Sequence, residues 1–298
     1  MSFEDIKVAY SEPMAVGECP LWHHIEQRLY WVDIDGLAVH RLDPANGAHT
    51  SWKMDSQPSA LAIHAGGGLV VAQRNGLVHL DTGSGKLMPI APAPYDTSTM
   101  RFNDGRVDPA GRFWIGGRDE AAGREAAAMY VLERGQLRTQ WPATLKNSNG
   151  LGFSPDGRRM YHTDTGTHRI DCYDFDPATG IASNRQAFHQ FDANKGAPDY
   201  GGRPDGAAVD SEGNYWCAMF EGARVLCFAP DGTLRREVKL PLRCPTMIAF
   251  GGADFKTLYI TSASHKRPAE EIEQYPLTGC VLSLRVDVPG KPEPAYLP

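Results

Sequence analysis

Three stretches of the chain, NDGRVDPAGRFW from Asn103, NGLGFSPDGRRMY from Asn149 and DGAAVDSEGNYW from Asp205, align without gaps. Each places an apolar residue four positions on (Val107, Phe153, Val209) and a turn glycine eight positions on (Gly111, Gly157, Gly213). The template also fits SALAIHAGG from Ser59, with Ile63 and Gly67, and in weaker form ECPLWHHIE from Glu18 and TMIAFGGAD from Thr246. The six starting points lie 41, 44, 46, 56 and 41 residues apart, about the length of one four-stranded propeller blade.

The residues between these points support strands. With 31 Gly and 22 Pro in 298 residues the chain is broken every ten or so positions, and the intervening runs, such as RLYWVDI, GLVVAQ, RMYHTD and TLYITSA, are short and rich in aromatic and β-branched side chains. Turn pairs separate them, among them Asn46-Gly47, Asn75-Gly76, Asp156-Gly157 and Asp231-Gly232. Only DEAAGREAAA and PAEEIEQYP read as helical, and both are too short for the crossover helices of a doubly wound sheet. The expectation is an all-β chain: a six-bladed β-propeller in one domain over 1–298, its ring closed by a strand from the segment before Glu18 that contains DIKVAY.

Composition narrows the partners. The formal net charge is −6, and no basic run is present to hold nucleic acid or an anionic membrane, so neither is an expected partner. No stretch approaches the roughly 18 apolar residues of a membrane span, and the acidic start MSFEDIKVAY does not read as a signal peptide; a cytoplasmic protein is the expectation. Six scattered cysteines without a CxxC pair read as reduced, packed thiols. His23, His24, His64, His162 and His265 show no metal-ligand spacing, and GxSxG elbows, P-loops and strand-linked GxGxxG motifs are missing.

The register then points to chemistry. The first strand of each blade lines the channel of a propeller, so Glu18, Ser59, Asn103, Asn149, Asp205 and Thr246 should form a ring about its axis, and all six are polar. Glu18 and Asp205 are carboxylates, while Asn103 and Asn149 offer amide oxygens. Hard oxygen donors carrying two negative charges suit one divalent ion, Ca²⁺, Mg²⁺, Mn²⁺ or Zn²⁺. Solvated channel groups in an empty scaffold are the alternative reading.

The segments GECPLW, RFNDGRVDPAGRFWIGG, NSNGLGFSPDGRRMYHTDT, RPDGAAVDSEGNYWCA and FGGADFKTLYITSA closely resemble the SMP-30/gluconolactonase/regucalcin family of sugar lactonases, in order along nearly the whole chain. The resemblance implies a six-bladed propeller with one divalent ion in its channel. It implies Glu18, Asn149 and Asp205 as metal ligands, Arg101 and Asn103 as substrate-binding residues, and an acidic substrate-binding residue within GGRDEAAG. Asp119 and Glu120 compete for that last role, and Glu120 is assigned to it.

The activity implied is hydrolysis of a sugar-derived lactone to its aldonic acid, by a monomer or weak homo-oligomer. The ion would polarise the carbonyl, and Asp205 would accept a proton from the attacking water, with hydroxide on the ion as the competing nucleophile. A calcium-binding regulatory propeller and a broader esterase or phosphotriesterase are the alternatives; the latter would prefer a more apolar channel mouth than Arg101, Asn103 and Arg203 provide. Arg203, two residues before Asp205 and so on the same strand face, is either a solvated rim charge or a reader of an anionic group on the substrate.

Overall fold

The computed structural model describes residues 5–121 and 123–298. Its strands form six four-stranded antiparallel sheets arranged as a β-propeller. Blade 1 comprises β2 (Gly17–His23), β3 (Arg28–Asp33), β4 (Ala38–Leu42) and β5 (His49–Lys53); blade 2 comprises β6 (Pro58–Ile63), β7 (Leu69–Gln73), β8 (Gly76–Leu80) and β9 (Leu87–Pro92). Blade 3 holds β10 (Met100–Val107), β11 (Phe113–Asp119), β12 (Ala127–Glu133) and β13 (Gln136–Leu145). Blade 4 holds β14 (Ser148–Phe153), β15 (Arg159–Asp164), β16 (Arg169–Asp176) and β17 (Ile181–Gln190). Blade 5 holds β18 (Arg203–Val209), β19 (Tyr215–Phe220), β20 (Arg224–Phe228) and β21 (Leu234–Lys239). Blade 6 is composite: β22 (Pro245–Gly251), β23 (Thr257–Ser262) and β24 (Val281–Arg285) are completed by β1 (Lys7–Tyr10), which pairs with β24 through Lys7 opposite Ser283. The closing N-terminal strand is therefore where DIKVAY placed it.

Every repeat starts on the innermost strand of its blade. The apolar residues four positions on, Trp22, Ile63, Val107, Phe153, Val209 and Phe250, are all buried between blades. The turn glycines Gly67, Gly111, Gly157 and Gly213 take φ of +94°, +83°, +70° and +84°, a left-handed conformation that side chains with a Cβ resist. In the two weaker copies the left-handed residue falls one place later, at Gln27 (φ +56°) and Phe255 (φ +56°), which explains why glycine is missing from the template there. The turns of blades 3 and 5 share a further device: buried Asp108 and Asp210 each accept a hydrogen bond from an indole six residues on, Trp114 and Trp216, both at 2.9 Å.

Two features depart from the sequence reading. PAEEIEQYP holds a single short helix, α1 (Ala269–Gln274), but the described part of DEAAGREAAA is a loop leading into β12. Asp119 is the reason: its carboxylate accepts Ala121 N–H and Ala126 N–H, each at 3.0 Å, and the Arg124 Nε at 2.6 Å, which bends the backbone away from a helical path. The second feature is a C-terminal strap over 286–298. It crosses the channel at the end where the inner strands finish, with Ser211 N–H donating to Pro289 O, Lys291 reaching Phe153 O and Ser154 O, Glu293 pairing with Arg106, and Tyr296 bonded to Ile63 O. That end of the channel is plugged.

Candidate active site

The opposite end is open, and each inner strand there carries the same irregularity. Register shifts fall between Glu18 and Leu21, Pro58 and Ala60, Asn103 and Gly105, Asn149 and Gly152, Pro204 and Ala207, and Pro245 and Ile248. A bulge at each of these places re-aims the register side chain from the sheet face toward the axis. Five of the six register residues, Glu18, Asn103, Asn149, Asp205 and Thr246, line one cavity of about 560 Å³, together with Arg101 and Glu120.

The amides are tightly pinned. Asn149 Oδ1 accepts from Asn103 Nδ2 at 2.8 Å, which fixes its flip, and its Nδ2 donates to Thr165 Oγ1 at 2.7 Å. Asn103 also donates to Ser148 O at 2.7 Å and accepts Arg101 Nη1 at 2.7 Å. A relay from Arg101 through Asn103 to Asn149 thus holds one oxygen at the channel. Ser148 is steadied from behind by its 2.8 Å hydrogen bond with His162, whose pKa burial pulls down to about 4.

The carboxylates are left almost bare. Glu18 accepts only the Cys19 N–H, at 3.1 Å, and among the described residues no donor reaches the Asp205 side chain. Burial, then the charges of Asp205 and Asp104, drive the Glu18 pKa well upward. Asp205 is pushed up to about 7, chiefly by burial, with Arg203 opposing and Asp104 adding to the rise. Two nearby buried acids without donors are costly unless a cation or protons neutralise them. Among the described residues no group of three His, Cys, Asp or Glu side chains could hold an ion; with Asn149 as the third donor, the set is two carboxylates and an amide, which fits a hard divalent cation.

Sequence reasoning missed Asp104, which is 3% exposed with φ +42° and accepts the N–H groups of Gly105 (2.7 Å) and Leu151 (3.1 Å). A signal was available, since the aligned copies from Asn149 and Asp205 carry glycine at that place, Gly150 and Gly206. Thr165 and Arg118 were also missed.

Of the two acids in GGRDEAAG, Asp119 is fully engaged by its loop, whereas Glu120 faces the cavity and bonds Arg74 Nη2 at 2.6 Å and Arg101 Nε at 3.4 Å. Burial alone would raise the Glu120 pKa, but those two cations hold it below the usual range. Arg101 is itself 4% exposed, and burial with repulsion from Arg118 brings it down to about 10. Ser59 lies outside the cavity lining and donates to Ala72 O at 3.3 Å. Arg203 sits at the rim of an adjoining cavity of about 630 Å³, half-buried, 3.3 Å from Glu221 and 5.1 Å above the Phe220 ring.

Fold and site together define a propeller with an oxygen-donor cluster at the open mouth of its channel. Residues 16–264 match the SMP-30/gluconolactonase/LRE-like region, and the chain belongs to that family. It is 42% identical to a 6-deoxy-6-sulfogluconolactonase of Pseudomonas putida, over 98% of this chain and 99% of the relative. It is 34% identical to a pentonolactonase of Haloferax volcanii over 93% of both chains. Among solved structures, the calcium-binding protein regucalcin of Agrobacterium tumefaciens superposes with a TM-score of 0.91 at 29% identity, covering 98% of this chain and 97% of that one.

Proposed function

We propose that this protein is a hydrolase that opens a sugar-derived lactone to its aldonic acid, with one divalent ion (Ca²⁺, Zn²⁺, Mg²⁺ or Mn²⁺) held by Glu18, Asn149 and Asp205. The observation that carries the reading is the pair of buried, donor-poor carboxylates beside a pinned amide oxygen, opening onto a cavity large enough for a hexose. The names of the relatives, a sulfogluconolactonase and a pentonolactonase, supply the substrate class. A bound ion supplies Lewis acidity at the lactone carbonyl.

The chain's own groups do the rest. Asp205 accepts a proton from the water that adds to the carbonyl carbon; the ring C–O bond then breaks and the proton passes to the departing ring oxygen. Beside a cation its carboxylate stays ionised and so is free to accept that proton. Arg101, with Nη1 committed to Asn103 and Phe102 O, presents its other donors to sugar oxygens, and Glu120 accepts from sugar hydroxyls while fixing the Arg101 fork. Asn103 faces the cavity too, but its amide is engaged on Ser148 and Asn149, so its first contribution is to orient the Asn149 oxygen.

A purely regulatory calcium-binding role has the regucalcin likeness in its favour. The open cavity beside the carboxylates favours an enzyme. The deciding experiment assays a panel of neutral and anionic aldonolactones on chelator-treated protein reconstituted with each ion in turn. Metal-dependent ring opening is expected; stoichiometric ion binding with no lactone turned over would leave the regulatory role.

A further inference from the structure

The adjoining cavity shares Arg118, Glu120, Asn147, Asp205, Phe220 and Lys266 with the first, so the two form neighbouring lobes that meet at Asp205. The second lobe adds Lys146 and Arg203. Its charges are unequally matched. Asp119 is held by Arg124, Glu120 by Arg74 and Arg101, and Asp205 belongs to the proposed metal set. Among the described residues no carboxylate lies within ion-pairing distance of Arg118 or Lys266, and Arg203 keeps a buried Nε without a hydrogen-bond partner. Among the described residues the Lys146 ammonium is bonded to the carbonyls of Ala121 and Arg124 and to no carboxylate. Positive charge therefore lines the cavity beside the proposed carbonyl site, with Glu221, 3.3 Å from Arg203, as its one ion-pair partner among the described residues.

Arg118 owes its position to the sheet. It pairs across β10–β11 with Arg101 and bridges to Asn147, two residues before Asn149. Arg203 approaches on β18, its guanidinium stacked over Phe220. The two planar forks thus come from different blades, a geometry suited to an oxyanion with several acceptor oxygens.

Resting on the lactonase reading, we infer that Arg118 and Arg203 bind an anionic group, a sulfonate or phosphate, on the end of the sugar lactone remote from its carbonyl. They are specificity residues for that group, and the second lobe is the anion subsite. The neighbouring Lys266 adds charge without a fixed geometry. Glu221 competes for Arg203 in the free protein, so Arg118 carries the larger share.

The test compares glucono-1,5-lactone with its 6-deoxy-6-sulfo and 6-phospho analogues on wild type, Arg118→Gln, Arg203→Gln and Arg203→Lys. Wild type should favour an anionic lactone over the neutral one in kcat/KM, the sulfonate and phosphate arms telling which anion is preferred. Arg118→Gln should cut that preference on the order of 10- to 100-fold, the usual range for losing a charged hydrogen-bond donor, with Arg203→Gln less and Arg203→Lys least. Equal kcat/KM on neutral and anionic lactones in wild type overturns the subsite and leaves the lactonase reading standing. Equal proportional losses on all three lactones in the variants overturn it as well. Calorimetry with 6-deoxy-6-sulfoglucitol against glucitol reads the subsite without hydrolysis. Tighter binding of the sulfonated polyol, weakened in Arg118→Gln, supports the site even if no lactone is opened, an outcome in which the lactonase reading alone falls.

Discussion

Blades 1, 4 and 5 and blades 2 and 6 put a polar residue at the same bulge of the same strand, yet they use it differently. In blades 2 and 6 the hydroxyls are satisfied by backbone: Ser59 donates to Ala72 O, and Thr246 donates to Gly17 O while sharing a 2.9 Å hydrogen bond with Thr261. In blades 1 and 5 the carboxylates of Glu18 and Asp205 have almost no protein donors, and in blade 4 the amide of Asn149 is braced with its oxygen on the channel. Five of the six polar positions therefore fall into two sets, and the sixth, Asn103 of blade 3, braces Asn149. The stabilising set closes its hydrogen bonds within the protein; the other, which we propose as the functional set, leaves capacity for something else.

The sharpest way to break this division is to remove a carboxylate. Glu18→Ala and Asp205→Ala should each lower metal content and kcat/KM together by more than about a hundredfold, because outer-shell partners alone are worth roughly 10–100-fold. Unchanged metal content by atomic absorption, with full activity in both variants, would dissolve the distinction between the sets.

A pH titration of stability probes the backing of blade 4. His162 has its pKa lowered to about 4 by burial, against an ordinary 6.5. The unfolded chain binds the extra proton between those values, so this contribution is complete above pH 6.5 and disappears as pH falls through 4, up to about 3 kcal/mol. Denaturant melts across that window should show His162→Gln losing part of the slope. Some slope survives in that variant, since burial also brings His40 down to about 4.

Arg101→Ala should keep stoichiometric metal while lowering kcat/KM by about 1–3 kcal/mol, the range for a charged hydrogen-bond donor. Loss of the ion instead would move Arg101 into the support of Asn103 and Asn149. At the small end, Ser59→Ala should reduce unfolding free energy by about 1 kcal/mol with kcat/KM unchanged. A tenfold fall in activity there would place Ser59 in the functional set after all.

Much of this was readable in the chain. The repeat spacing located all six inner strands, because an apolar residue recurs four positions from each register residue and a left-handed turn eight or nine positions from it. It also placed Glu18, Asn149 and Asp205 around one axis. The bulges leave only a faint compositional mark, glycine at Gly150 and Gly206 where blade 3 has an acid, so Asp104 went unread, although a buried acid there raises both neighbouring carboxylates. The choice between Asp119 and Glu120 depends on which side chain caps its own loop, a matter of backbone path. DEAAGREAAA misled because alanine and glutamate favour helix locally, whereas Asp119 gathers two backbone N–H groups and an arginine into a tighter turn. Arg203 points to the mouth, as its alternation with Asp205 implied, but only the structure reveals Arg118 beside the same space.

The seam of the ring has a consequence for biosynthesis. β1 precedes the other described strands in the chain, yet its partner β24 begins at Val281, so β1 has no partner until the strands of all six blades have been synthesised. Ring closure then links positions such as Lys7 and Ser283, a pairing of very high sequence separation and correspondingly slow formation. Chains stalled before that point display an open strand edge to chaperones and to one another. The four residues of β1 are thus a short edge whose pairing depends on the far end of the fold.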